Sequence, residues 1–152
     1  MISHLCILLL IIYTAKGSFP RRKCEPIMIP ECKSLPYNLT RFQNALGHQN
    51  QVAASRAFKI YKTFLATNCS EYLVFFLCTL AVPICMENEN LTHPIKPCKS
   101  VCQRVQRDCM PAIRSMGETW LSAGYDCNSL PEISAGVCVA PDSFVNQNSL
   151  GG

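Results

Sequence analysis

The sequence predicts a small, mainly α-helical, disulfide-rich domain with four helices, a minimal two-stranded β element and five disulfides. The chain has 152 residues, which fits one domain better than two. Eleven of these residues are cysteines, a density typical of proteins that fold in an oxidising compartment. Apolar residues recur at spacings of three and four residues in two long stretches, which indicates amphipathic helices.

The N-terminus is typical of a secretory signal. Leu5–Tyr13 is an uninterrupted apolar run of nine residues. Such a run is long enough for a signal peptide and shorter than the about 20 residues that cross a bilayer. Ala15 and Gly17 place small residues at the −3 and −1 positions of a cut before Ser18. We therefore predict a signal peptide over residues 1–17 and a secreted, extracellular protein without a transmembrane segment.

Cleavage would also remove Cys6 and leave ten cysteines, an even number that predicts five disulfides. Spacing alone does not choose among the many pairings that ten cysteines allow. Zinc sites need short cysteine pairs, and only Cys98 and Cys102 are close. The chain has no Cys-x-x-Cys redox pair, no G-x-S-x-G motif and no H-E-x-x-H motif. We expect no metal, no cofactor and no enzymatic activity.

Two helices are predicted in the first half of the domain. The first lies within Gln49–Thr67, where the apolar stripe has a helical period and Ile60 lies off the stripe. The second follows Ser70, a suitable N-cap, and is apolar on nearly every side. A helix of that kind is buried all round. The second helix is therefore predicted to be the centre of the core.

The second half is predicted to hold a third helix over Pro97–Gly117 and a short fourth helix within Thr119–Cys127. Cys98, Cys102 and Cys109 share one face of the third helix. They therefore reach three other elements more plausibly than one another, which would make this helix the spine of the domain.

The remaining segments are predicted to be short strands, loops and a tail. Ile27–Ile29 lies between two prolines and predicts an edge strand, and Val137–Val139 is the candidate second strand. The tail over residues 142–152 is predicted to be disordered. Asn38 and Asn90 begin N-glycosylation sequons, and Asn68 begins a weaker one because a cysteine follows it. The net charge of +4 is spread along the chain, so we expect no nucleic-acid partner.

The cysteine order and the segments between the cysteines resemble the Frizzled-type cysteine-rich domain. The matching segments are "YNLT", "LGHQNQ", "CSEYLVFFLC", "PIC" and "PIKPCKSVC". The resemblance spans Cys24 to about Pro141, and we place the domain at residues 18–141. The segments "HPIKPCKSVCQR" and "GVCVAP" are most similar to the secreted Frizzled-related proteins.

The resemblance implies both a disulfide pairing and a function. The implied pairs are Cys24–Cys85, Cys32–Cys78, Cys69–Cys109, Cys98–Cys138 and Cys102–Cys127. The implied function is binding of acylated Wnt proteins, through an apolar groove for the acyl chain and a second protein contact. A free domain would then compete with receptors as a decoy or modulator, and a second Frizzled-type domain is an implied dimer partner. The implied groove positions are Ile60, Tyr61, Thr63, Phe64, Thr67, Met116 and Glu118.

The chain departs from the Frizzled receptors beside this groove. Receptors typically carry an aromatic-Trp-Pro run where this chain reads Tyr61-Lys62-Thr63, and an aromatic residue in place of Glu118. A carboxylate that faces a lipid opposes its binding unless the carboxylate points to solvent. Two alternatives to a secreted Wnt modulator stay open, an ectodomain fragment of a larger Frizzled-like receptor and a carrier of fatty acids or sterols.

Overall fold

The computed structural model describes residues 23–86, 93–120 and 125–147, and most of its regular structure is helical. Two short strands come first, and the helices follow them along the chain. The strands are β1 (Glu25–Pro26) and β2 (Leu39–Thr40), and the α-helices are α1 (Gln51–Phe58), α2 (Lys62–Leu65), α3 (Leu73–Ala81) and α4 (Lys99–Ser115). The 3-10 helices are Pro30–Cys32, Lys59–Tyr61, Cys127–Ser129 and Pro141–Gln147. The predicted signal peptide lies outside the described residues.

The α-helices form three helical segments, because α1 and α2 are joined by the 3-10 turn Lys59–Tyr61 into one. This first segment begins where the Asn50 side chain accepts a hydrogen bond from the Ala53 amide, at 2.9 Å. Its apolar stripe packs inward through Ala54 and Phe58, which are both buried. The position and inner face of the predicted first helix are thus observed.

The prediction of a short fourth helix within Thr119–Cys127 is wrong. Residues 119, 120, 125 and 126 are not helical, and residues 121–124 lie outside the described residues. An isolated helix of this length is marginal in water, so tertiary contacts decide its conformation. Here the contacts are the burial of Trp120 and the disulfide of Cys127, which starts a separate 3-10 turn capped by the Asp126 side chain.

The second helical segment, α3, lies in the centre of the core as the sequence predicts. Its sequence is strongly apolar, and every residue from Phe76 through Ala81 is buried. It begins at Leu73 rather than directly after Ser70. The Ser70 hydroxyl accepts from the Tyr72 amide at 3.3 Å and donates to Asp108 Oδ2 of α4 at 2.9 Å. Ser70 therefore joins the start of α3 to α4.

The β element differs from the prediction in both of its strands. β1 pairs antiparallel with β2, with Glu25 opposite Thr40. Ile27–Ile29 is not a strand, because the Met28 amide donates to Gln51 Oε1 and a 3-10 turn begins at Pro30. Val139 forms an isolated parallel bridge with Pro97, held by the Cys98–Cys138 disulfide beside it. It therefore pairs with the start of α4 and not with the N-terminal strand.

Five disulfides connect these elements, and three of them involve the α4 region. The bonds are Cys24–Cys85, Cys32–Cys78, Cys69–Cys109, Cys98–Cys138 and Cys102–Cys127. These are the five pairs that the family resemblance implies. The inner face of α4 carries Val101, Val105 and Ile113 beside its cysteines, all of them buried. α4 is therefore packed and cross-linked along most of its length.

The chain after Asp142 is predicted to be disordered, whereas the structure has the 3-10 helix Pro141–Gln147 there. The physical reason is aromatic packing. The Phe144 ring lies 6.0 Å from the Tyr37 ring and 6.4 Å from the Phe75 ring. Burial raises the pKa of the Tyr37 hydroxyl, which donates to the Val82 carbonyl oxygen. Residues 148–152 lie outside the described residues.

The Ser70–Asp108 contact predicts how stability depends on pH. Hydrogen bonds hold the pKa of the Asp108 carboxyl below its ordinary value of 3.8. The one from the Ser70 hydroxyl has the larger effect, and the one from Arg104 has a smaller effect. A depressed pKa stabilises the fold above the ordinary value, and this contribution disappears as the pH falls through the folded-state pKa. We expect Ser70→Ala to lower the free energy of unfolding at pH 7 and to reduce its further loss as the pH falls below the ordinary carboxyl pKa.

Chemical denaturation at a series of pH values measures both effects. Ser100→Ala is the matched control, because Ser100 is an exposed serine of α4, and it should leave the profile unchanged. Identical acid profiles for the Ser70→Ala variant and the wild type would contradict this assignment.

Candidate functional site

The outer face of the first helical segment exposes apolar and hydroxyl side chains. Ile60 is 79% exposed, and Thr63 of the same segment and Thr67 just after it are also exposed. The Thr67 hydroxyl donates to the Phe64 carbonyl oxygen at 2.7 Å, so its hydrogen-bonding capacity is met by the end of the segment. An isoleucine that is this exposed gains free energy from any contact that removes it from water.

The inner side of the same segment closes a small apolar cavity. Tyr61 and Phe64 are half-buried and form one wall of it. The other residues that line the cavity are Leu46, Phe76, Leu77, Leu80, Trp120 and Tyr125. The cavity has room for about one water molecule. In this conformation it is too small for a hydrocarbon chain.

Aromatic packing fixes the far wall of the cavity. The Phe76 ring of α3 stacks on the Trp120 ring at 6.1 Å and meets the edge of the Tyr125 ring at 6.2 Å. The indole nitrogen of Trp120 is buried and has no hydrogen-bond partner within the described part of the chain. Buried polar groups normally form hydrogen bonds, so a buried N–H group without a partner is unusual in a protein core.

The chain after α4 carries the other two predicted groove residues. Gly117 ends the helix with a φ of +75°, a conformation that glycine adopts without strain. Met116 is 42% exposed and Glu118 is exposed, and the Glu118 amide donates to the Ile113 carbonyl oxygen. Two residues later, Trp120 turns inward to the cavity wall.

The seven predicted groove residues thus divide into two groups. Tyr61 and Phe64 meet at the cavity, whereas Ile60, Thr63, Thr67, Met116 and Glu118 lie exposed outside it. Sequence reasoning missed Leu46 and Trp120 as cavity residues. Trp120 could have been picked out from the sequence, because it is the only tryptophan of the chain. Leu46 carries no such signal, because only the folded loop brings it to the cavity.

One charge of the exposed face forms an ion pair at the surface. The Lys62 ammonium lies 3.6 Å from the Glu31 carboxylate, and the Lys62 side chain is 64% exposed. An exposed pair of this kind contributes little to stability. Across the described residues, no group of histidines, cysteines and carboxylates could hold a metal ion.

The predicted glycosylation sequons differ in their surroundings. Asn38 is exposed, while Thr40 of its sequon is buried and donates to the Pro83 carbonyl oxygen. Asn68 is exposed with a φ of +46°. Asn90 lies outside the described residues. No helix within the described residues is both long and apolar enough to cross a membrane.

Comparisons with known proteins agree with this architecture. The Fz domain model matches residues 24–134. Secreted frizzled-related protein 4 of Macaca mulatta is 43% identical over 122 residues, covering 80% of this chain and 35% of the relative. For secreted frizzled-related protein 3 of Mus musculus the identity is 42% over 123 residues, covering 80% and 37%. Frizzled-2 of Caenorhabditis elegans is 34% identical over 147 residues, covering 93% and 25%. The chain spans about a third of the length of the secreted relatives.

Proposed function

The chain belongs to the Fz domain family, and we propose on that premise that it is a secreted Wnt-binding domain that modulates Wnt–Frizzled signalling. The similarity to secreted frizzled-related proteins supports secretion and a modulating role outside the cell. The similarity to Frizzled-2 supports a second candidate, in which the domain is part of a receptor ectodomain. Binding of Wnt is common to both candidates, and no chemical reaction is needed for either.

The observation that carries the proposal is the exposed face of the first helical segment. Ile60 is exposed next to the half-buried Tyr61 and Phe64, so an acyl chain that lies against these three residues covers apolar surface. Each methylene that leaves water contributes about 0.8 kcal/mol. Met116, 42% exposed at the end of α4, is a further apolar residue that the acyl chain would cover in this proposal, and a second contact with the Wnt protein itself would complete the interface.

The acyl contact is tested by comparing an acylated Wnt with the non-acylated form of the same Wnt. The wild-type domain should capture the acylated form more tightly. Ile60→Glu should weaken that capture by about tenfold or more, a loss of about 1.4 kcal/mol, because a carboxylate replaces the exposed apolar side chain. Val52→Glu is the matched control, since Val52 is a 63% exposed residue of α1 outside the predicted groove, and it should bind normally. Equal capture of both Wnt forms by the wild-type domain would remove the acyl chain from the interface.

A second prediction concerns Glu118, where the receptors carry an aromatic residue. Glu118→Phe should strengthen binding of acylated Wnt by about threefold to tenfold, because it removes a carboxylate and adds apolar surface beside Met116. Glu118→Gln removes the charge without adding an aromatic ring, so it should give a smaller gain in affinity than Glu118→Phe. An unchanged or weaker affinity of a folded Glu118→Phe variant, measured in the same titration, would place Glu118 outside the groove.

A further inference from the structure

The outer face of the first helical segment mixes apolar and basic side chains. Val52, Arg56 and Lys59 follow one another at spacings of four and three residues, so they lie on one side of the segment. Ile60 follows directly, and all four residues are exposed. The exposed fraction is 63% for Val52 and 79% for Ile60. The outer face therefore carries large apolar side chains among its charges.

Met28 adds a further apolar side chain beside the start of this face. Its amide donates to Gln51 Oε1 at 2.7 Å, which places the Met28 backbone next to the first residue of α1. Met28 is 66% exposed, whereas its chain neighbours Ile27 and Ile29 are buried. Three exposed apolar residues thus lie on or beside the same segment, and each gains free energy from a contact that removes it from water.

The charge of this region is of one sign. Residues 32–70 contain five lysine or arginine residues and no acidic residue. Two carboxylates from earlier in the chain reach the segment, and each has a partner there. Glu25 Oε1 accepts from Gln51 Nε2 at 2.9 Å, and the Glu31 carboxylate lies 3.6 Å from the Lys62 ammonium.

Arg56 and Lys59 are the other two cations of the segment. Within the part of the chain that the structure describes, no ion pair includes either of them. Both side chains belong to exposed residues, so a partner reaches their charges without displacing a carboxylate. The face is therefore complementary to a surface that is both anionic and apolar.

We propose that the basic apolar face, formed by Met28, Val52, Arg56, Lys59 and Ile60, binds the surface of a bilayer that contains anionic lipids. A helix face that combines Lys or Arg with exposed apolar residues is typical of segments that lie in the bilayer interface. The apolar side chains enter the boundary of the acyl chains, and the cations meet the headgroups. Each basic residue near such a surface raises the affinity by about fivefold. With two such cations, binding is weak and reversible.

The apolar residues favour a bilayer over a soluble polyanion such as a sulfated glycan. A glycan contacts the cations and leaves Met28 and Val52 in water, whereas the bilayer interface accepts both kinds of side chain. The proposal does not rest on the Wnt contact. Ile60 belongs to the proposed acyl contact as well, so the test leaves Ile60 unchanged.

Binding of the secreted protein to vesicles tests the role of the cations. The wild type should bind vesicles of phosphatidylcholine and phosphatidylserine, mixed at about 7:3, and bind phosphatidylcholine alone much more weakly. Salt at about 0.5 M should weaken binding, because ions screen the charges. Arg56→Gln combined with Lys59→Gln should lower the affinity by about tenfold to thirtyfold. Arg107→Gln combined with Arg114→Gln, which removes two exposed charges from α4, is the matched control and should lose less than about threefold.

A second pair of substitutions tests the apolar contact. Met28→Ser combined with Val52→Ser keeps the charge and should lower the affinity for anionic vesicles by about tenfold, while binding to heparin stays unchanged. Both residues are exposed, so the fold should be retained, which circular dichroism checks.

Equal binding of the wild type to both kinds of vesicle overturns the role of the cations, and this comparison needs no variant. Binding of the wild type to heparin but not to anionic vesicles overturns the bilayer as the partner. Wild-type affinity of the folded Met28→Ser, Val52→Ser variant for anionic vesicles overturns the apolar contact. None of these measurements contains a Wnt protein, so a failure here is distinct from a failure of the proposed function.

Discussion

Three disulfides from one helical region organise the domain. Cys98, at the N-cap of α4, and Cys102 and Cys109, within it, bond to three different segments of the chain. The residues between them on the same face are buried, so the cross-links and the hydrophobic contacts act along one line. A domain of this size has a limited core, and disulfides that close long loops restrict its unfolded state.

The site lies where this cross-linked frame meets the first helical segment. The Cys69–Cys109 bond holds the chain just after α2 against α4, and the chain continues past the end of α4 through Met116 to Trp120. α3 supplies Phe76, on which Trp120 stacks. The exposed face and the cavity therefore lie on opposite sides of the first helical segment. Neither of them requires a residue from the centre of α3 to leave the core.

The sequence predicted those features that depend on local pattern. The period of three and four located the first helical segment and α4, and the position of Ile60 off the apolar stripe agrees with its exposure. The pairing of β1 with β2 could not be predicted in this way, because two-residue strands have no readable period. Leu46 was missed for a related reason, since its loop is tied to α3 by a hydrogen bond from Asn44 Nδ2 to the distant Ala81 carbonyl oxygen. The disulfide pairs came from the family resemblance, because spacing alone allows too many.

The most direct test of the organising role of α4 is hydrogen exchange in a Cys69→Ala, Cys109→Ala double variant. The amides of Thr67 and Asn68 donate to the carbonyl oxygens of Phe64 and Leu65, at the end of the first segment. If the disulfide positions this segment, these two amides should exchange faster in the variant. The Cys98 and Val139 amides, which bond near the Cys98–Cys138 disulfide, should then keep their protection. Unchanged protection of Thr67 and Asn68, or equal acceleration in both regions, would contradict the account.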